Sequence, residues 1–140
     1  MYKHILLPLD LDNQDALPRV FDTALRLLNA DGKVSLISVN SVTVHPAMMS
    51  YVSDEKLEEI RQQMKATLRE LQQQYLQESQ CGHTLVREGV VYDTVLYEAR
   101  KRDVDLIVLP ASRPGAVTYL IGSNASKIVR HSACSVMVLR

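Results

Sequence analysis

The chain has no tryptophan, only two cysteines, and no excess of charge of either sign. Cys81 and Cys134 stand far apart and form no C-x-x-C pair, which argues against a zinc knuckle or a redox dithiol and points to a reducing cytoplasm. Sixteen Lys and Arg balance sixteen Asp and Glu, so the net charge favours neither nucleic acid nor an anionic membrane, and any attraction to a charged ligand has to be local. Long hydrophobic runs are missing as well. After Met1-Tyr2-Lys3 the first apolar stretch is short and carries Pro8 and Asp10, too polar for a signal segment or a membrane span, so the mature chain is expected to begin at Met1. His4, His45, His83 and His131 show no metal-ligand spacing, and no metal site is expected. Neither G-x-x-x-x-G-K-[ST] nor a G-x-G-x-x-G after the first strand occurs, so conventional ATPase and dehydrogenase chemistry lacks its parts.

What is there is an alternation. With 140 residues, 46% of them hydrophobic and 23% charged, the chain is sized for one soluble domain over 1–140, and lengths near this bury about 70% of the unfolded surface. Residues 4–10 form a continuous apolar run, as a strand buried on both faces does. Ala16, Val20, Ala24 and Leu28 then recur at fours, and Asp31-Gly32 ends that helical pattern. Residues 34–39 read as the second strand, apolar with two serines, and 40–51 as a long connection containing Pro46, Met48, Met49 and Tyr51. Ser53 is placed to cap a helix in which Leu57, Ile60, Met64, Leu68, Leu71 and Tyr75 fall on one stripe. Residues 83–88 and 104–109 read as strands around a helix at 92–102, and 123–131 and 135–139 add a last helix and strand. Strands alternating with helices imply parallel pairing through right-handed crossovers, hence a doubly wound α/β sandwich of three layers.

The stretch from Asp105 to Arg140 carries the chemistry. The strand Leu106-Ile107-Val108-Leu109 runs into a Ser-containing loop, and Gly122-Ser123-Asn124 opens a helix whose first N–H groups are free to hold an anion such as phosphate. This arrangement, with Ile5-Leu6-Leu7-Pro8-Leu9-Asp10 at one end and Val136-Met137-Val138-Leu139 at the other, resembles the universal stress protein family over the length of the chain. Ser112-Arg113-Pro114, Thr118-Tyr119-Leu120-Ile121 and Arg130-His131 look most like its F-type branch. The resemblance implies a five-stranded parallel sheet of order 3-2-1-4-5, whose winding reverses between strands one and four; ligands sit at such a reversal, beyond the carboxyl ends of the strands.

It also implies an adenine-nucleotide site. Pro8, Leu9 and Asp10 would lie against adenine and ribose, Val39 and Leu109 would line the base slot, and Pro110, Ser112 and Arg113 would flank ribose and phosphates. Gly122, Ser123 and Asn124 would hold the phosphate chain of ATP, ADP or AMP, with Mg as an accompanying ion. A dissociation constant near 1 μM requires about 8 kcal/mol. A helix dipole contributes roughly 0.3–1 kcal/mol and each hydrogen bond to a charged group about 1.5–3, so the phosphates need help from a buried base. Pro110 stands where the family's first loop residue is normally Gly, and proline has no N–H to donate; Arg113 either replaces the lost donors with its charged fork or is a solvated loop residue. Asp10 and Ser123 have plainer readings as a loop cap and a first-turn helix residue, and Lys127 and Arg130 read as surface charges.

The expected function is that of an ATP-binding, nucleotide-responsive stress-response regulator in the cytoplasm, not an enzyme beyond slow ATP hydrolysis. A homodimer paired through Val136, Met137, Val138 and Leu139, or a tetramer, would be its assembled state, acting on a protein partner. The alternatives are a stress-related interaction protein that binds no nucleotide, which Pro110 favours, and a slow ATP hydrolase.

Overall fold

The computed structural model describes residues 1–41, 52–111 and 122–140, so the readings placed on Pro46, Met48, Met49, Tyr51, Ser112 and Arg113 fall outside the described residues. Strand β1 is Tyr2–Pro8, and α1 (Leu17–Leu27) leads directly into β2 (Leu28–Asn40). Helix α2 (Asp54–Tyr75) is followed by a 3₁₀ turn at Glu78–Gln80 and by β3 (Cys81–Glu88). Then come α3 (Val91–Lys101), β4 (Leu106–Pro110), α4 (Ser123–His131) and β5 (Ser135–Leu139). All neighbouring strands pair in parallel, in the order β3-β2-β1-β4-β5, which is the expected one.

Side-chain alternation along these strands builds two cores. Ile5, Leu7, Val34, Leu36, Leu106 and Val108 point to one face, where Leu17, Val20, Phe21 and Ala24 of α1 and Leu68 and Leu71 of α2 cover them. Leu6, Ile37, Leu85, Ile107 and Leu109 point to the other, under Val95, Leu96 and Ala99 of α3 and Ala125 and Ile128 of α4. Buried on both faces, residues 5–7 of β1 and 106–109 of β4 read as unbroken apolar runs, whereas β2 admits the buried Ser35, Ser38 and Asn40. Phe21 stacks on Tyr75 with ring centroids 4.3 Å apart, locking α1 to the end of α2. Helix α2 opens as its sequence predicts: Ser53 Oγ accepts the Lys56 N–H at 3.1 Å, a cap that contributes about 1 kcal/mol, and Asp54 and Glu55 occupy the first turn.

The second strand begins earlier than the sequence indicates. Tyr2 pairs with Leu28 and His4 with Lys33, so one short step of β1 faces a much longer one of β2. Asp31-Gly32 therefore sits in a bulge inside the strand, and α1 ends at Leu27 without any turn of its own.

A polar chain crosses the amino-terminal end of the sheet on the α3–α4 side. His4 Nδ1 lies 3.0 Å from the Arg102 carbonyl and Nε2 2.7 Å from Ser35 Oγ, which also accepts the His83 N–H at 2.9 Å. This pattern places the His4 proton on Nδ1, donating to the carbonyl, with the Ser35 hydroxyl donating to Nε2. Next to it, Glu98, 3% exposed, accepts from Arg87 Nε and Arg102 Nε, both at 2.8 Å. Burial pushes the Glu98 carboxyl up, and the two guanidinium hydrogen bonds outweigh it, holding the group below its ordinary 4.5. Burial, then the nearby Arg102 and His4, lower His83.

Candidate functional site

At the opposite end the strand tips open into a crevice of about 940 Å³, near the top of the range that small-molecule sites occupy. It lies where β1 and β4 are neighbours while their crossovers run to opposite faces, the reversal point of the winding. Pro8, Leu9, Asp10, Val39, Leu109, Pro110, Gly122, Ser123 and Asn124 all line it. Nine residues read from four separate segments are thus brought together by the strand order.

Each is positioned by its element. The Leu9 N–H donates to the Ile37 carbonyl at 2.8 Å, which carries the β1–β2 ladder one residue past Pro8 and fixes where Asp10 begins its loop. Asp10 caps that loop: its Oδ1 accepts the Asp12 N–H at 3.1 Å, and its carbonyl accepts from the Asn13 N–H. The plainer reading of Asp10 as a loop cap thus holds, at a position that also faces the crevice. Pro110 ends β4 opposite Leu139, where its missing N–H removes one donor from the crevice rim.

Gly122 is the N-cap of α4 and offers no capping side chain, and Ser123 is the first helical residue. The Gly122 N–H donates to the Ala111 carbonyl at 2.6 Å, and the Ala111 N–H donates to the Leu139 carbonyl at 2.8 Å. These two bonds hold the α4 amino terminus over the end of β4, so the helix dipole's positive end faces the crevice. Lys127 stays out of it, its Nζ lying 4.7 Å from the centre of the Tyr92 ring.

Val39 and Leu109 do not face each other. Both pack on the α3–α4 core, with β1 running between their strands, so they are neighbours in a single wall rather than two sides of a slot. Sequence reasoning also missed residues. Buried Ser38 and Asn40, half-buried Ile60, Met64 and Thr67, and Val91 and Val95 line the same crevice. Ser38 had a signal, as one of two serines in an apolar strand; the other, Ser35, serves the polar chain at the far end. A second, shallower depression runs along α3 past Arg87, Tyr92, Tyr97 and Arg100 and meets none of the β1 or β4 tips.

The family model for universal stress proteins matches residues 1–140. The chain belongs to the universal stress protein family. Universal stress protein G of Salmonella typhimurium is 28% identical over 142 residues, covering all of both chains. That relative is of the G type, whereas the F-like spelling lies in a stretch largely outside the described residues. Among solved structures, a universal stress protein in complex with cAMP superposes with a TM-score of 0.65 at 18% identity, covering 99% of this chain and 97% of that one. The universal stress protein from Archaeoglobus fulgidus in complex with dAMP gives 0.62 at 15% identity, covering 99% and 98%. Both share the fold of this chain. Among the described residues, no helix of this universal stress protein is long and apolar enough to cross a membrane, and no group of His, Cys, Asp and Glu is arranged to hold a metal.

Proposed function

We propose that residues 1–140 act as one domain that binds an adenine nucleotide, ATP before ADP or AMP, and regulates a partner according to occupancy. One observation carries the reading: Asp10, Val39 and Leu109 meet the amino terminus of α4, which has no side-chain cap among the described residues, at Gly122, Ser123 and Asn124 in a single crevice. An anionic end would be held by the first N–H groups of α4 and the Ser123 hydroxyl, a ribose by Asp10, and a base against Val39 and Leu109. Family members solved with cAMP and with dAMP make adenine nucleotides the ligand class to try first. With a di- or triphosphate, Mg would accompany the phosphates; the residues of this chain supply donors to the oxygens, and hydrolysis is not the task assigned to them.

The test is to denature the purified chain, identify any released nucleotide by chromatography and mass, and titrate the folded protein with ATP while following melting. At about 100 times the dissociation constant, ATP should add roughly 2.7 kcal/mol, which raises the melting temperature by about 8 °C for a chain of this size. Absence of both signals would overturn the reading. It would favour instead an interaction protein without nucleotide, for which the ring of Pro110 at the crevice rim is the supporting observation.

Assembly follows from the other edge of the sheet. Strand β5 is terminal in the strand order, with Val136 and Val138 packed on one core, Leu139 on the other and Met137 36% exposed. A homodimer through Val136, Met137, Val138 and Leu139 would cover this edge. Sedimentation at micromolar concentration should give twice the monomer mass of 15.8 kDa, and Met137→Lys should return it to one; a wild-type monomer would end this assignment.

A further inference from the structure

The apolar stripe of α2 is longer than the core it covers. Leu68 and Leu71 are buried in the α1–α2 core, whereas Ile60 and Met64, two and one turns earlier on the same stripe, belong to neither core among the described residues. Both are half-buried and line the crevice from the face opposite to the wall made by Val39 and Leu109. Small-molecule sites are lined mostly by apolar side chains, and these two line a crevice of that size.

The helix is tied to the sheet at this point. Arg61, next to Ile60, is hydrogen-bonded to Glu88 at the end of β3 and reaches Glu58 at 2.9 Å. That fork ties α2 to the sheet edge with its charge engaged outside the crevice lining. Thr67 Oγ1 donates to its own helix, to the Gln63 carbonyl at 2.9 Å. At this turn α2 lines the crevice with the half-buried apolar side chains of Ile60 and Met64, beside the exposed Gln63 and with Thr67 bonded to its own helix.

We propose that Ile60 and Met64 form the second wall of the base slot, clamping a purine against Val39 and Leu109 and so selecting purine over pyrimidine nucleotides. The inference rests on the nucleotide reading above and adds which side chains read the base. An apolar clamp makes no hydrogen bonds of its own, so its preference follows ring area, and a two-ring base covers more of both walls than a one-ring base. The Met64 thioether suits a flat aromatic ring, since sulfur makes favourable contacts with ring edges and the unbranched chain adapts to either purine.

The experiment titrates ATP, CTP and inorganic tripolyphosphate into the wild type, Met64→Ala, Ile60→Ala and Met64→Leu, with the melting temperature of each recorded. In the wild type ATP should bind more tightly than CTP. Met64→Ala and Ile60→Ala should each weaken ATP about tenfold, ~1.4 kcal/mol, narrow the gap to CTP, and leave tripolyphosphate unchanged. Met64→Leu should restore most of the ATP affinity. Wild-type protein that binds ATP, with folded alanine variants that bind it equally well, would overturn the second wall alone. Equal weakening of ATP and tripolyphosphate would do the same, since it would place Met64 at the phosphates. No binding of ATP by the wild type would overturn the nucleotide reading and this inference with it.

Discussion

Gly122→Val should lower ATP affinity at least a hundredfold while costing the fold about 1 kcal/mol. Gly122 has φ −58° and ψ 156°, a conformation open to any residue, so the substitution brings no backbone strain. The stability cost is that of a poorer N-cap. The binding cost arises because the added side chain stands beside the first N–H groups of α4, where phosphate oxygens must approach to hydrogen-bond distance. Losing two charge-assisted bonds of about 1.5–3 kcal/mol each exceeds the roughly 2.8 kcal/mol that a hundredfold represents. Titration of the folded variant with ATP checks it, and unchanged affinity would refute the phosphate seat.

The other large effect concerns the far end of the sheet and needs no ligand. Glu98→Ala removes the acceptor shared by Arg87 and Arg102, whose side chains are 36% and 19% exposed against 4% for Glu98. Breaking a fully buried pair costs about 3–5 kcal/mol; because both arginines reach solvent in part, the loss here is set at about 3, or roughly 10 °C in melting temperature. The pH dependence has a definite sign. With its folded value held below the ordinary 4.5, Glu98 contributes its full stabilisation above about pH 4.5, and the contribution disappears as pH falls through the lower folded value. The stability gap between wild type and Glu98→Ala, measured by chemical denaturation, should therefore be constant from pH 7 to 5 and shrink in stronger acid. A gap that stays level to pH 3 would show that the carboxylate's charge contributes nothing.

Where the sequence was legible, burial made it so. Strands β1 and β4 read as continuous apolar runs because helices cover both their faces, and Ser53 announced α2 because an N-cap is a local hydrogen bond. Asp31-Gly32 was read as the stop of the first helix because such residues end helices; only the pairing of Tyr2 with Leu28, a contact between segments distant in sequence, makes it a bulge within a strand. Val104 was read into β4 for its side chain, yet its N–H is bound to Ala99 and Asp105 is turned to the N–H groups of Lys3 and His4. The crevice residues on β1, β2, β4 and α4 could be named because the resemblance to the family supplied both a strand order, which predicts which tips meet, and the roles at those tips. Ile60 and Met64 were read only as part of the α2 stripe, because a helical period gives a direction without saying where the sheet beneath it stops.

Ala111 makes two backbone hydrogen bonds of different consequence: its N–H to Leu139 of β5 and its carbonyl to Gly122 of α4. The end of the outermost strand and the opening of the crevice helix are joined through one peptide neighbour on each side, with no intervening side chain to absorb movement. Any displacement of Gly122 on filling the crevice would be passed to β5, the edge that the proposed homodimer would use, and by thermodynamic reciprocity the two events would change each other's equilibrium constant by the same factor. Occupancy and association would then be two readings of one equilibrium.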